Sequence, residues 1–256
     1  MNNTLDMSRL MRLIRKQWIE NFSFYGMAAL AILGIMATMF IIWILASNNN
    51  FHEEPIYIIY FVCLFLSGCI LASTAFSIFG DKAKGGFWLA LPASHLEKLI
   101  TVIVFNTIVF FVVFSGCFLL LKPLVLAYIN NKVTTHPNEV HFDRIIWSNG
   151  RGDGFREVFY AFLYGFFALQ ALYLMGSAFF SKHAFIKTTI ISAAILFLLF
   201  VYVYNMTTWL IPKNVNTGPM MEPTEQQEDI LTWVMKLIWV PLFWVITWFR
   251  LKEKEL

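Results

Sequence analysis

The sequence predicts an all-α, polytopic integral membrane protein, with six transmembrane helices preceded by an amphipathic interfacial helix. Three observations predict it. Six apolar runs are each about 20 residues or longer, enough at about 1.5 Å per residue to cross a hydrocarbon core of about 30 Å. Of the 256 residues 59% are apolar and only 14% charged, against about 25% charged in soluble domains. Lys and Arg are also divided unevenly between the two sides that six crossings define.

The chain reads as a single transmembrane domain over 1–256. Its first element is a basic amphipathic helix over 7–22. In "SRLMRLIRKQWIENF", Leu10, Met11, Leu13, Ile14 and Trp18 share one arc at 100° per residue. Arg9, Arg12, Arg15 and Lys16 share the other arc, a pattern suited to lying among headgroups with the apolar face sunk in acyl chains. No cleavable signal peptide is expected, because the first apolar run is too long for a signal core.

The spans fall at 24–46, 56–79, 99–121, 158–180, 188–210 and 230–249. The last contains Lys236, placed to snorkel, and Pro241, which predicts a kink. Twelve Lys and Arg lie on the side of the N-terminus, the 80–98 and fourth loops and the C-terminus, and seven on the other. The positive-inside rule therefore puts both termini in the cytoplasm. The 122–157 loop is extracytoplasmic; within it "NEVHFDRIIW" can form a short strand and "SNGRGDG" a turn. His136, Glu139, His141 and Asp143 match no standard zinc spacing, so no metal is expected. The 207–229 segment, rich in Pro, Asn, Glu and Gln, reads as a solvated connection.

The middles of the spans lack Asp, Glu, Lys, Arg and His. Charged side chains there are costly and mark proton or ion pathways, so a proton- or sodium-coupled transporter is disfavoured. A metalloprotease would lack ligands and a serine protease its base. Asn106, Gln170 and Asn205 read as helix–helix hydrogen bonds. Cys63, Cys69 and Cys117 read as small buried residues. No phosphate-binding Gly-x-x-x-x-Gly-Lys-[Ser/Thr] loop occurs, and a formal charge of +3 gives no reason to expect nucleic acid. Neither catalysis nor a cofactor is expected of this chain, and any uphill transport must draw on another subunit.

The most informative stretch is "GDKAKGGFWLALPASHLEKL", from Gly80 to Leu99. Pro92 stops what precedes it. Ser94 and Glu97 form a capping box for the third span, with Lys98 at the interface. Gly85 and Gly86 are expected to interrupt any helix continuing from the second span. Phe87, Trp88 and Leu91 then share roughly one helical face. The loop is too short for a core of its own, so these side chains must meet the membrane interface or a partner.

With its six spans, its basic leading helix and "LPASHLEK" before the third span, the chain resembles the permease subunits of ABC-2-type ABC transporters. The resemblance implies that the leading segment is a connecting helix and that the 80–98 loop carries a coupling helix for a separate ATP-binding cassette subunit. Lys84, Phe87, Trp88 and Leu91 would make that contact, with Pro92, Ser94 and Glu97 fixing the exit into span three. It further implies a second permease subunit, identical or different, and export of a hydrophobic or amphipathic molecule across a bacterial cytoplasmic (inner) membrane. Two features depart from the family pattern: a long 122–157 loop, and a 207–229 linker without apolar re-entrant helices. The competing expectation is a non-transporting membrane scaffold or assembly protein of an envelope complex, with the 122–157 loop as its working surface.

Overall fold

The computed structural model of the protein describes residues 6–89, 93–138, 140–143, 151–180, 182–210 and 225–254. The chain is helical almost throughout. In order come α1 (Met7–Ala46), β1 (Asn50–His52), α2 (Glu54–Thr74), a 3-10 turn (Ser77–Gly80), α3 (Lys82–Leu89) and α4 (His95–Ile103). A π-helical segment (Val104–Val109) joins α4 to α5 (Phe110–Thr135), followed by β2 (His141–Asp143), α6 (Arg151–Phe179), α7 (Ala184–Leu210) and α8 (Glu225–Glu253). Among the described residues five helical stretches are long and apolar enough to cross a membrane: α1, α2, α4 through α5, α6 and α7. The protein is thus an integral membrane protein by the length and composition of its helices. Helix α8 is equally long, but its first half carries Glu225, Glu228, Asp229 and Lys236.

Several boundaries differ from those the sequence predicts. The expected interfacial helix and first span are one unbroken helix, α1, of 40 residues. No proline interrupts it, and it extends about 60 Å, twice the thickness of a hydrocarbon core. The second span ends earlier, at Thr74, and the chain turns through Ser77–Gly80. Helix α3 then runs through Gly85 and Gly86 instead of breaking there. The third helix continues past Lys122 and Pro123 to Thr135, and α6 begins at Arg151, so the connection between them is much shorter than 122–157. Helix continues to Leu210 and resumes at Glu225 on either side of the 207–229 connection, whose residues 211–224 lie outside the described set.

Two apolar clusters hold the bundle together. The larger is an aromatic lattice between α1, α2, α5 and α6, built on Phe40, Tyr60, Phe114, Phe118 and Phe166. Tyr60 lies 5.4 Å from Phe114, edge-to-face, and 4.6 Å from Phe118 in a tilted pair, centroid to centroid, and aromatic pairs of this kind add to simple burial. Gly68 is required here: a Cβ would come within 2.5 Å of the Phe166 ring. Cys63, Cys69 and Cys117 are buried, free thiols. Gln170, fully buried, donates to the Asn106 carbonyl in the π segment, while Asn106 and Asn205 bond carbonyls one turn back. Of the helix–helix hydrogen bonds expected, Gln170 makes one, whereas these side-chain bonds of Asn106 and Asn205 stay within their own helices.

The smaller cluster joins Phe76, Leu99, Tyr173 and Leu174 to Leu251 near the end of α8. It gathers the chain's last helical turn, the 3-10 turn and the start of α4 at one end of the bundle. The opposite end is closed by a two-stranded parallel ribbon, β1 with β2, pairing Phe51 with Phe142. The strand expected in "NEVHFDRIIW" is thus present as three residues. Its partner follows a turn in which Asn48 and Asn49 take positive φ, the left-handed region that Asn tolerates better than most residues. Helix α7 is different again: Leu196 to Phe200, more than a full turn, are all exposed. An apolar surface facing every direction is suited to hydrocarbon.

Candidate functional site

The 80–98 segment and the start of α1 meet at the end that holds α8's last turns. The local reason is helix capping. Ser94, in extended conformation, accepts a hydrogen bond on its hydroxyl from the Glu97 amide at 3.2 Å. The Glu97 carboxylate in turn accepts from the Ser94 amide at 2.9 Å. This is the predicted capping box, which satisfies two N–H groups that the first turn of a helix leaves without partners.

The second Glu97 oxygen goes further. It accepts from the backbone amide of Asp6 at 2.8 Å, across 91 residues, and faces the Arg9 guanidinium at 3.4 Å. Asp6 is itself the N-cap of α1, its carboxylate accepting from the Ser8 amide at 2.9 Å and lying 3.5 Å from Arg9. A single carboxylate, 0% exposed, thus serves the N-cap residues of two helices. Two positive helix ends and one guanidinium compensate its burial. The Ser8 amide and hydroxyl, with Arg9, hold the Asp6 carboxyl below its ordinary value.

Among its described side chains, helix α3 is fastened chiefly through its inner side. Asp81 caps it, accepting from the Ala83 amide at 3.0 Å on its side chain and from the Gly85 amide at 2.8 Å on its carbonyl. Gly85 is buried against Phe79, where a Cβ would sit 3.3 Å from the ring, while Gly86 faces open space. Trp88 turns inward, edge-on to Phe79 at 5.3 Å and Phe76 at 6.1 Å, with the buried Lys98 ammonium 5.4 Å from its ring. Phe87 turns outward and is 68% exposed. On the α1 side the Lys16 ammonium lies 5.4 Å from the Phe87 ring. The Lys254 ammonium covers Phe79 at 4.2 Å; burial, with Arg250 nearby, pushes its pKa down.

Of the predicted residues, then, Ser94, Glu97 and Arg9 meet in one cluster, and α3 carries Phe87 and Trp88, the former beside Lys16. Phe87 and Trp88 do not share a free face, because Trp88 is spent on packing. Lys84 lies within α3; Leu91 and Pro92 lie outside the described residues. Arg12 bonds back to the Ser8 carbonyl and hydroxyl, and Arg15 is exposed. Trp18 packs on Tyr25 and Phe105, each at 6.2 Å, tying α1 to the π segment instead of standing alone.

Sequence reasoning missed Asp6 as a partner of Glu97. It also missed a second buried cluster at the ribbon end. There Lys122 donates to Glu53 at 3.1 Å and to the Tyr57 hydroxyl at 2.8 Å, with its ammonium 4.6 Å from the Tyr57 ring. The available signal was a lone lysine within the apolar string "FLLLKPLVL". Near it, His52 and Asp143 pair at 3.3 Å on the surface. Glu139 lies outside the described residues, and among those described no three His, Cys, Asp or Glu side chains gather as metal ligands would. No family model, curated protein or solved structure matches the chain.

Proposed function

We propose that this chain is the membrane-spanning subunit of an ATP-driven exporter, energised by a separate ATP-binding subunit that docks on the 80–98 segment from the cytoplasm. The observation that carries the reading is the fastening of α3 chiefly through its inner side. Gly85 and Trp88 anchor its inner side, and Phe87 projects outward beside Lys16. An exposed aromatic on a rigid, short helix is an anchor for a partner's pocket. The absence of a phosphate-binding loop from the sequence supports placing ATP hydrolysis in that partner. Glu97 fits the same reading, since it ties the exit of the docking segment to the start of α1, so that a push on α3 reaches two long helices at once. Two such subunits, side by side, would enclose the path of the exported molecule.

The test is tagged purification in mild detergent with mass spectrometry of co-purifying chains. An ATP-binding subunit should accompany the parent and be lost from Phe87→Ala, with the thermal midpoint of the variant unchanged. Trp88→Ala should lose the partner and lower the midpoint as well. Recovery of envelope proteins without any ATPase would overturn the reading in favour of a scaffold.

A further inference from the structure

Between α2 and α6, at the end where Glu53 and Lys122 pair, lies a groove of about 280 Å³. Helix α2 contributes Glu54, Tyr57, Ile58, Phe61 and Val62, a stripe along one face. Phe159 and Phe162 of α6 form the facing wall. Apart from the Glu54 carboxylate and the Tyr57 hydroxyl, the named side chains are hydrocarbon.

The walls are held in place. Lys122 fixes the Tyr57 hydroxyl at 2.8 Å, and the Tyr57 ring meets Phe159 edge-on at 6.2 Å. Phe159 packs edge-on against Phe61 at 5.0 Å, and Phe162 lies 5.2 Å from Phe61. The groove is open to the bilayer along its length, with Ile58 61% and Phe162 49% exposed. From Glu54 to Val62 it runs about 12 Å along the helix axis. Its volume falls just below the usual range of ligand pockets, about 300–1,000 Å³. These dimensions fit one alkyl chain lying lengthwise.

The polar end sets what the chain is attached to. Glu54 is the first residue of α2, exposed, and makes no hydrogen bond or ion pair among the described residues. Its neighbours differ: Glu53 is neutralised by Lys122, and Asp143 by His52 when protonated. Arg156 and Glu157 are exposed on the first turns of α6. With α2 spanning 21 residues, its first residue sits about one hydrocarbon thickness from its last, at headgroup depth. A carboxylate there, above a preformed hydrocarbon slot, selects a cation tethered to an alkyl chain.

We propose that the groove binds a phospholipid with an ammonium headgroup, one acyl chain in the slot and the ammonium on Glu54. The proposal is independent of the transporter reading, since none of its residues lies in 80–98. The test is native mass spectrometry of the detergent-purified full chain, given equal amounts of phosphatidylethanolamine and phosphatidylglycerol with identical acyl chains. Phosphatidylethanolamine adducts should dominate by about fivefold, the upper range for an exposed ion pair. Glu54→Gln, a conservative exposed change, should bring the two lipids to parity. Val62→Trp, which obstructs the slot, should reduce both. Parity in the parent, preference surviving Glu54→Gln, or full retention of both lipids by Val62→Trp would each overturn the proposal.

Discussion

Each end of the bundle carries a buried glutamate paired with a base, and the two pairs do different work. At the α3 end, Glu97 is fully enclosed and its partner Arg9 is 30% exposed at the side chain. Glu97 binds two backbone amides besides, so it fixes the ends of helices. At the ribbon end, Glu53 and Lys122 keep 11% and 21% side-chain exposure, and the pair's other ligand is a tyrosine side chain. That pair fixes the middle of a helix against the start of another, and lets α5 run on past a lysine that would otherwise have to reach water. Backbone ligands make the first cluster a tie between the starts of two helices; side-chain ligands make the second a local pin.

The sharpest way to break this contrast is Glu97→Ala. It removes the acceptor shared by the Asp6 and Ser94 amides and the carboxylate facing Arg9, and it should cost about 3–5 kcal/mol, the range for breaking a buried pair. The thermal midpoint in detergent should fall accordingly, and protease should cut within the first turns of α1. Lys122→Met and Glu53→Gln should cost less, about 1–3 kcal/mol each. Combined in a double-mutant cycle they should couple by about 0.5–3 kcal/mol, whereas Glu97→Gln combined with Lys122→Met should be additive.

Smaller changes sharpen the α3 side. Gly85→Ala, whose Cβ would meet the Phe79 ring at 3.3 Å, should forfeit the roughly 0.8–1 kcal/mol that alanine otherwise adds over glycine in a helix. Gly86→Ala, with open space around it, should be neutral or stabilise by about 0.4–1 kcal/mol. Hydrogen exchange of the 82–89 amides distinguishes the two. The smallest effect belongs to Asp6. Its carboxyl is held below the ordinary value, so its contribution is complete above the unfolded pKa of about 3.9 and is lost as pH falls through the lowered folded value. Protection of the Ser8 amide should decline over that acidic window and remain flat above it.

The same contrast explains what was legible in the sequence. The capping box reads directly from "SHLE" because its partners are three residues apart. The further bond from Glu97 to Asp6 spans 91 residues, and no local pattern encodes it. Apolar run lengths locate the spans, yet they misplace their ends. Lys122 and Pro123 look like a stop, but Glu53 and Tyr57 satisfy the lysine and the helix continues. Gly85 and Gly86 look like a break, but Gly85 packs closely on Phe79 and a short helix tolerates both. "FWLAL" reads as a pair of exposed aromatics; only packing reveals that Trp88 is turned inward and Phe87 is not. Half of the ribbon reads from "NEVHFDRIIW", where β2 lies; its partner β1 is too short to show alternation.

Site-specific photocrosslinking from position 87 decides whether Phe87 faces an ATP-binding subunit. A photoreactive phenylalanine analogue would replace Phe87 in cells, with the same analogue at the lipid-suited Phe197 as the comparison. The account predicts a covalent adduct from position 87 to a separate chain carrying a phosphate-binding loop, and none from position 197. Lipid adducts alone from both positions would contradict it.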